Sequence, residues 1–131
     1  MKKTPLLHGE LSQLIATLGH GDSVVIADAG LPVPPGTRCI DLAVTRGVPS
    51  FEQVLDAMLS EMLVQRADYA TEMSTRSPQI ETLLRARLSD ASLRGIAHDA
   101  LKQRSGMARA IVRTGEFTSY ANVILYAGVA F

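Results

Sequence analysis

The sequence lacks a second cysteine, an excess of charge of either sign and a long apolar run. The single Cys39 cannot form a disulfide within the chain or the cysteine pair of a metal site. We therefore expect a buried structural thiol and a reducing compartment, the cytoplasm. Lys plus Arg and Asp plus Glu number 13 each, so no basic field exists to attract nucleic acid or anionic lipid. No window approaches the roughly 20 apolar residues that span a bilayer. The sequence thus predicts neither a nucleic-acid partner nor a membrane association.

Several sequence motifs of enzymes are also missing. No nucleophile elbow, phosphate-binding loop or dinucleotide-binding glycine pattern occurs in the chain. The three histidines His8, His20 and His98 are scattered, unlike the compact spacing of zinc ligands. The first residues carry two lysines but no apolar stretch of signal-peptide length. From the missing cofactor-binding motifs and the scattered histidines we predict no metal and no cofactor.

Along the whole chain, segments with the apolar spacing of a helix alternate with segments that have the apolar pattern of a strand. Its 131 residues suit one domain, 1–131, and 47% of them are apolar. The patterns predict helices from Leu11 to a stop at Gly19, from a capping box at Ser50, from Pro78, and over His98–Ser105. They predict strands over Ser23–Ala27, Arg38–Ala43, Met62–Tyr69, Asp90–Ile96, Ala108–Arg113 and from Val123 onward. This alternation indicates the α/β class, with a central sheet covered by helices.

Two polar residues bracket the apolar strand Ser23–Ala27. His20 follows a predicted helix end, and Asp28 stands at the far end of the strand. The rims of α/β sheets are where such folds bind ligands, and a histidine exchanges protons near neutral pH. The alternative is that His20 is an exposed turn residue and that Asp28 caps the turn at Ala29 and Gly30. Spacing alone does not decide between these interpretations.

Two further groups of polar residues could form part of a site. His98 and Lys102 stand four residues apart, hence on one face of a predicted helix. Tyr120 and Asn122 flank Ala121 just before the last strand and could hold the hydroxyls of a neutral polyol. A solvated helix face and a tyrosine packed beside a turn asparagine are the alternatives.

Four blocks of the sequence resemble the D-ribose pyranase family, the sugar mutarotases associated with ribose uptake. They are Leu18–Asp22, Ile26–Pro34, Ile40–Leu42 with Gly47–Phe51, and Ile111–Asn122 continuing to Gly128–Phe131. The likeness covers nearly the full length. Departures are Ser119, where the family usually has proline, Leu101, where it has phenylalanine, and the weakly matching stretch 74–97.

The resemblance implies a ribose pyranase-like α/β fold and a cofactor-free isomerase that interconverts the pyranose and furanose forms of D-ribose. It implies that His20 is the catalytic acid. The residues it implies for sugar binding are Asp28, His98, Tyr120, Ala121 and Asn122, with Lys102 near the pocket. It also implies a homo-oligomer, a decamer of two pentameric rings, with sites between neighbouring subunits. Neutral charge and apolar composition independently favour self-association.

Two other functions fit the same pattern. An L-fucose mutarotase would move an anomeric hydroxyl instead, but Gly30-Leu31-Pro32 after Asp28 favours ribose, since the fucose enzymes typically have an aromatic residue before the proline. A non-catalytic sugar-binding partner of a transport system is the other alternative. Such a module would have no need of a titrating residue such as His20.

Overall fold

A six-stranded mixed sheet runs through the centre of the protein in the computed structural model, which describes all residues from Met1 to Phe131. Its strands are β1 (Ser23–Ala27), β2 (Cys39–Asp41), β3 (Val64–Ala70), β4 (Ser92–Ile96), β5 (Ala110–Arg113) and β6 (Val123–Ala127). They lie in the order β2-β5-β1-β6-β3-β4, and only β6 runs antiparallel to its neighbours. The helices are α1 (Gly9–Ala16), α2 (Phe51–Leu59), α3 (Met73–Arg76), α4 (Pro78–Arg87) and α5 (His98–Ser105). The predicted α/β class with a helix-covered central sheet is confirmed.

Strand β1 lies inside the sheet and is buried on both faces. Val24 and Ile26 point into the larger hydrophobic core, whereas Val25 and Ala27 point into a smaller core on the opposite face. Successive side chains of a strand alternate between the two faces, so a strand covered on both sides needs an uninterrupted apolar run. The bounds predicted for this strand are confirmed at both ends.

Helix α2 covers the larger core together with α1 and α4, and its start is set by local sequence. The Ser50 hydroxyl accepts the backbone N–H of Gln53, and the Gln53 side chain accepts the N–H of Ser50 in return. This is the predicted capping box. The predicted apolar stripe is buried throughout: Phe51, Val54, Leu55 and Met58. Side chains of this size contribute about 1.5–3 kcal/mol each on burial, so the core fixes α2 on the sheet.

The remaining elements follow the predicted pattern with ends shifted by a few residues. The stretch 90–96 contains β4, and α5 has the predicted bounds. Helix α5 covers the smaller core through Leu101. The four-residue helix α3 was not predicted, because one helical turn is too short to show a periodic stripe. None of the five helices combines the length and the apolar character that a membrane span requires.

Helix α1 ends earlier than predicted. It stops at Ala16, with Thr17 as its C-cap, rather than at Gly19. The residue of this turn with a positive φ is Gly21, at 84°. The N–H of Gly19 is instead bound by the Asp22 carboxylate at 2.9 Å. The turn before β1 is therefore held by a side chain and not by a glycine C-cap.

The prediction that Cys39 is a buried thiol is wrong. Strand β2 lies at the edge of the sheet, where Ile40 faces the core and its neighbours Cys39 and Asp41 are exposed. Only one side of this edge strand is covered, so alternate residues face solvent. Partial desolvation and the nearby Asp41 carboxylate raise the pKa of the Cys39 thiol, which keeps it in the weakly nucleophilic protonated form.

The strand directions decide which polar residues can meet. Strands β1 to β5 all end at one edge of the sheet, here called the C-terminal edge, and β6 starts there. The opposite N-terminal edge carries the turn before β1 and the start of β3. A strand of five residues spans about 17 Å. Groups at the two ends of β1 are therefore separated by the length of the strand.

Gly115 lies where the loop after β5 passes closest to another loop. A Cβ atom at this position would stand 2.5 Å from the carbonyl oxygens of Thr45 and Val48 and 2.7 Å from the Val48 nitrogen. The Gly115 N–H is also bound to the Pro49 carbonyl at 2.9 Å. Only glycine fits here, because the neighbours are backbone atoms that cannot rotate away.

We expect Gly115→Ala to lower the free energy of unfolding by about 1–3 kcal/mol through overpacking. The measurement is urea denaturation at a fixed protein concentration. Gly9→Ala is the matched control, because a Cβ at Gly9 meets no atom within 4 Å. Equal stability of the two variants would contradict this account of the loop.

Candidate active site

A cavity of about 570 Å³ opens at the C-terminal edge of the sheet. It brings together four residues predicted for the site, namely Asp28, His98, Tyr120 and Asn122. The first follows β1, the second begins α5 after β4, and the last two precede β6. The other lining residues are Ala29, Gly30, Leu31, Pro32, Arg76, Arg113, Glu116, Phe117, Thr118 and Ser119. This is where the topology of an α/β sheet places ligand sites.

Asp28 and Asn122 hold each other by two hydrogen bonds. The Asn122 Nδ2 donates to the Asp28 Oδ2 at 2.9 Å, and the Asp28 backbone N–H donates to the Asn122 Oδ1 at 2.9 Å. The Asp28 Oδ1 also accepts the N–H of Gly30 at 2.9 Å, so the predicted turn cap is present as well. Asn122 is fully buried, whereas Asp28 is half-buried. A buried amide without partners would be costly, so this pairing orients the carboxylate at the cavity wall.

The loop after β5 supports this pair from one side. The Thr114 hydroxyl donates to the Ala27 carbonyl at 2.8 Å, just before Asp28. Glu116 accepts the hydroxyl of Thr118 and the N–H of Phe51 at the start of α2. Burial opposes ionisation of Glu116, but these hydrogen bonds outweigh it and lower the pKa of the carboxyl. Glu116 therefore stays charged as a fixed part of the wall.

His98 and Tyr120 form another part of the wall. Their rings meet edge to face, with centroids 5.0 Å apart and an interplanar angle of 87°. The Nδ1 atom of His98 is buried and has no hydrogen-bond partner within the protein. Tyr120 has a φ of 63°, a left-handed conformation that is uncommon for a residue other than glycine. Strain of this kind is typical of functional sites.

Glu72 fixes the position of His98 and was missed by sequence reasoning. Both of its carboxylate oxygens accept the His98 backbone N–H, at 3.0 and 3.2 Å. Hydrogen bonds from its own backbone and from His98 lower the pKa of Glu72. The carboxylate takes the place of an N-cap for α5, since Ala97 has no side chain that could cap it. The two residues lie 26 positions apart, so no local pattern indicates the contact.

Two arginines of the cavity were also missed. Arg113 ends β5, donates to the Ala29 carbonyl at 3.0 Å and pairs with Asp41 at 2.8 Å. Arg76 ends the unpredicted helix α3, and its side chain is exposed at the cavity. Arginines are ordinary surface residues in a sequence, so only the fold distinguishes these two.

Three of the predicted site residues do not line the cavity, namely Ala121, Lys102 and His20. Ala121 is buried between Tyr120 and Asn122, where it packs into the larger core. Lys102 lies one turn along α5 from His98 and pairs with Asp99 at 2.8 Å. Ala121 thus supports the cavity wall from the core side, and Lys102 lies outside the cavity.

His20 lies at the other edge of the sheet. It is exposed in the turn before β1, where its Nε2 is 2.8 Å from the side-chain oxygen of Gln65 at the start of β3. Strand β1 separates it from Asp28, and it does not line the cavity. One chain therefore brings the four cavity residues together but not His20.

The side chains offer no ready metal centre. No group of three or more His, Cys, Asp or Glu residues lies close enough together to hold an ion. The charged and polar groups of the cavity are instead spread around its wall, as for a ligand held by many hydrogen bonds.

Curated relatives match this chain along its full length. It is 54% identical over 131 residues to a D-ribose pyranase of Chloroflexus aggregans, with all of both chains covered. It is 52% identical over 133 residues to a D-ribose pyranase of Variovorax paradoxus, again with full coverage.

Solved structures agree with the fold. Bacillus subtilis RbsD, solved in complex with D-ribose, superposes with a TM-score of 0.96 at 40% identity over the whole of both chains. The fucose mutarotase of Streptococcus pneumoniae, solved with L-fucose, gives a TM-score of 0.85 at 26% identity, also over both whole chains.

The family model described as the RbsD / FucU transport protein family matches residues 1–130. That match covers the cavity, the turn at His20 and every element of the sheet. The chain therefore belongs to the RbsD / FucU transport protein family.

Proposed function

We propose that this protein is a D-ribose pyranase, an isomerase that interconverts the pyranose and furanose forms of D-ribose. The observation that carries the proposal is the cavity that places Asp28, His98, Tyr120 and Asn122 around one space. Full-length identity of 54% to a D-ribose pyranase supports the same activity. Likeness to an RbsD solved with D-ribose supports the substrate.

The reaction needs only proton transfers. A proton reaches the ring oxygen, the anomeric hydroxyl loses one, and the bond between C1 and the ring oxygen breaks. The resulting open-chain aldehyde closes again through a different hydroxyl. Pyranose, aldehyde and furanose have the same oxidation level, so no redox or nucleotide cofactor takes part. General acid catalysis is the assistance that such a step requires.

The cavity supplies groups that suit a neutral polyol. The Asp28 carboxylate accepts hydrogen bonds from sugar hydroxyls while Asn122 and Gly30 hold it in place. His98 and the hydroxyl-bearing Tyr120 line the same cavity and offer further hydrogen-bonding positions. We assign these four residues to sugar binding. Ala121 keeps Tyr120 and Asn122 in register, and Lys102 contributes to the surroundings of the pocket.

We assign the acid role to His20, which requires a second subunit. Because β1 holds His20 and Asp28 at opposite edges, His20 of one subunit must meet the cavity of another. Such a contact joins two different surfaces, and repeated contacts of this kind form a ring when the rotation between subunits closes. The proposed assembly is a homo-oligomer with shared sites, a decamer of two pentameric rings.

Both edges carry exposed apolar side chains that suit such a contact. Leu63 stands beside the N-terminal edge, where its carbonyl accepts the N–H of Gly128 at 2.9 Å. Val44, Val48 and Phe117 are exposed around the C-terminal edge. These side chains are available to be covered in a contact between subunits. We place the protein in carbohydrate metabolism and in the cytoplasm, in keeping with an unpaired cysteine.

Saturation-transfer NMR on unlabelled sugars tests the activity. Wild-type protein should accelerate exchange between the pyranose and furanose signals of D-ribose above the spontaneous rate. L-fucose is the comparison, because a fucose mutarotase shares the fold at 26% identity. Faster exchange of L-fucose with none for ribose would reverse the assignment. Binding of ribose without any acceleration would indicate a sugar-binding partner of a transport system.

We expect His20→Ala to separate rate from binding. Loss of a general acid should lower the exchange rate by about 10²–10⁴-fold. Ribose affinity should change little, since the four cavity residues remain. Asp28→Ala should do the converse and weaken ribose binding by about 1.5–3 kcal/mol, the range for a hydrogen bond to a charged group.

Exchange NMR and ribose titration of the same folded samples measure both effects. Thermal melting of each variant is needed beside them, because Asp28→Ala also removes partners of the buried Asn122. Unchanged exchange in His20→Ala would remove His20 from the mechanism. Equal losses of exchange and binding would make it a binding residue.

A further inference from the structure

Gln65 is an exposed residue at the start of β3 whose side chain reaches His20 from 45 positions away. Its Oε1 lies 2.8 Å from the His20 Nε2. An amide oxygen can only accept a hydrogen bond, so the Nε2 of the ring carries the hydrogen of this contact. The neutral imidazole has one N–H, and the contact with Gln65 accounts for it. The lone pair of the neutral ring then lies on Nδ1.

We propose that Gln65 is a positioning residue that holds His20 by Nε2–H, so that Nδ1 is the atom that exchanges a proton with the sugar. The inference rests on the proposed function, in which His20 is the acid. It adds which ring nitrogen exchanges the proton and which residue selects that nitrogen. The other nitrogen of a catalytic histidine is commonly fixed in this way by a hydrogen-bond acceptor.

The proton transfers balance in this arrangement. In ring opening, the Nδ1–H of the protonated imidazole gives its proton to the ring oxygen as the bond from C1 to that oxygen breaks. The anomeric hydroxyl loses its proton to water, and C1 becomes the aldehyde carbon. Ring closure reverses both transfers on a different hydroxyl. His20 therefore ends protonated, as it began, and its bond to Gln65 is kept throughout.

The neutrality of Gln65 matters for proton exchange. A carboxylate at this position would stabilise the imidazolium and hold its proton to higher pH. The other charged groups on the surrounding elements are already engaged. Asp22 of the same turn faces Arg109 at 3.4 Å, and the guanidinium of Arg66 on β3 stacks over the Tyr126 ring at 3.8 Å. The amide of Gln65 places no such charge beside the ring.

Two substitutions at this exposed position separate the role of the hydrogen bond from that of charge. Gln65→Leu removes the acceptor at similar size and should lower kcat for ribose exchange by about 10- to 100-fold, with KM nearly unchanged. Gln65→Glu keeps an acceptor. It should restore most of the rate and move the high-pH limb of the kcat profile up by about one pH unit.

Gln103→Glu is the matched control. It makes the same charge change at an exposed residue of α5 that has no bond to His20, and its profile should match that of the wild type. Protein labelled with ¹⁵N-histidine provides a second measurement. Above the titration range, the His20 ring should carry hydrogen on Nε2 in the wild type and lose this preference in Gln65→Leu.

The outcomes separate this proposal from the function it rests on. If wild-type protein does not accelerate ribose exchange, the proposed function fails and this inference fails with it. If the wild type is active but Gln65→Leu keeps its kcat, only the role of Gln65 is overturned. An unshifted profile in Gln65→Glu, or hydrogen on Nδ1 in the wild type, would also overturn it.

Discussion

The central constraint on this protein is that strand β1 is buried on both faces and runs straight through the sheet. The four successive apolar side chains from Val24 to Ala27 pack alternately into two separate cores, and this packing fixes the position of the strand. Its ends are therefore held at opposite edges, with the turn at His20 on one side and Asp28 on the other. A single chain cannot use both for the same sugar. The proposed head-to-tail association would bring the His20 of one subunit to the cavity of another.

At the C-terminal edge, side-chain hydrogen bonds join the chain segments that form the cavity wall. The buried Asn122 amide joins the start of β6 to the end of β1 through Asp28. Glu116 joins the loop after β5 to the start of α2, and Glu72 joins the end of β3 to α5. Each side chain satisfies backbone N–H groups that would otherwise be left without partners at the ends of strands and helices. The cavity wall is thus held together by hydrogen bonds within the chain.

Local patterns predicted much of this structure because they depend on near neighbours in the sequence. The apolar run of β1, the capping box at Ser50 and the bounds of α5 are examples. Position and side-chain chemistry made Asp28, His98, Tyr120 and Asn122 candidates, and the resemblance to a family decided between the alternatives. Contacts such as Glu72 with His98 and Gln65 with His20 were beyond reach, since each joins residues brought together only by the sheet. The exposure of Cys39 was missed for the same reason, because no single segment of the sequence shows that β2 lies at the edge of the sheet.

Mixed assembly of two impaired chains, assayed at low ribose where weakened binding also lowers the rate, tests the shared site most directly. His20→Ala and Asp28→Ala chains are co-expressed with different tags, and the mixed oligomer is purified through both. If each site takes His20 from one subunit and the cavity from the next, random mixing leaves about a quarter of the sites intact. Ribose exchange should then return to about that fraction of the wild-type rate. Activity no higher than that of either variant alone, in a mixed oligomer of wild-type size, would contradict the account.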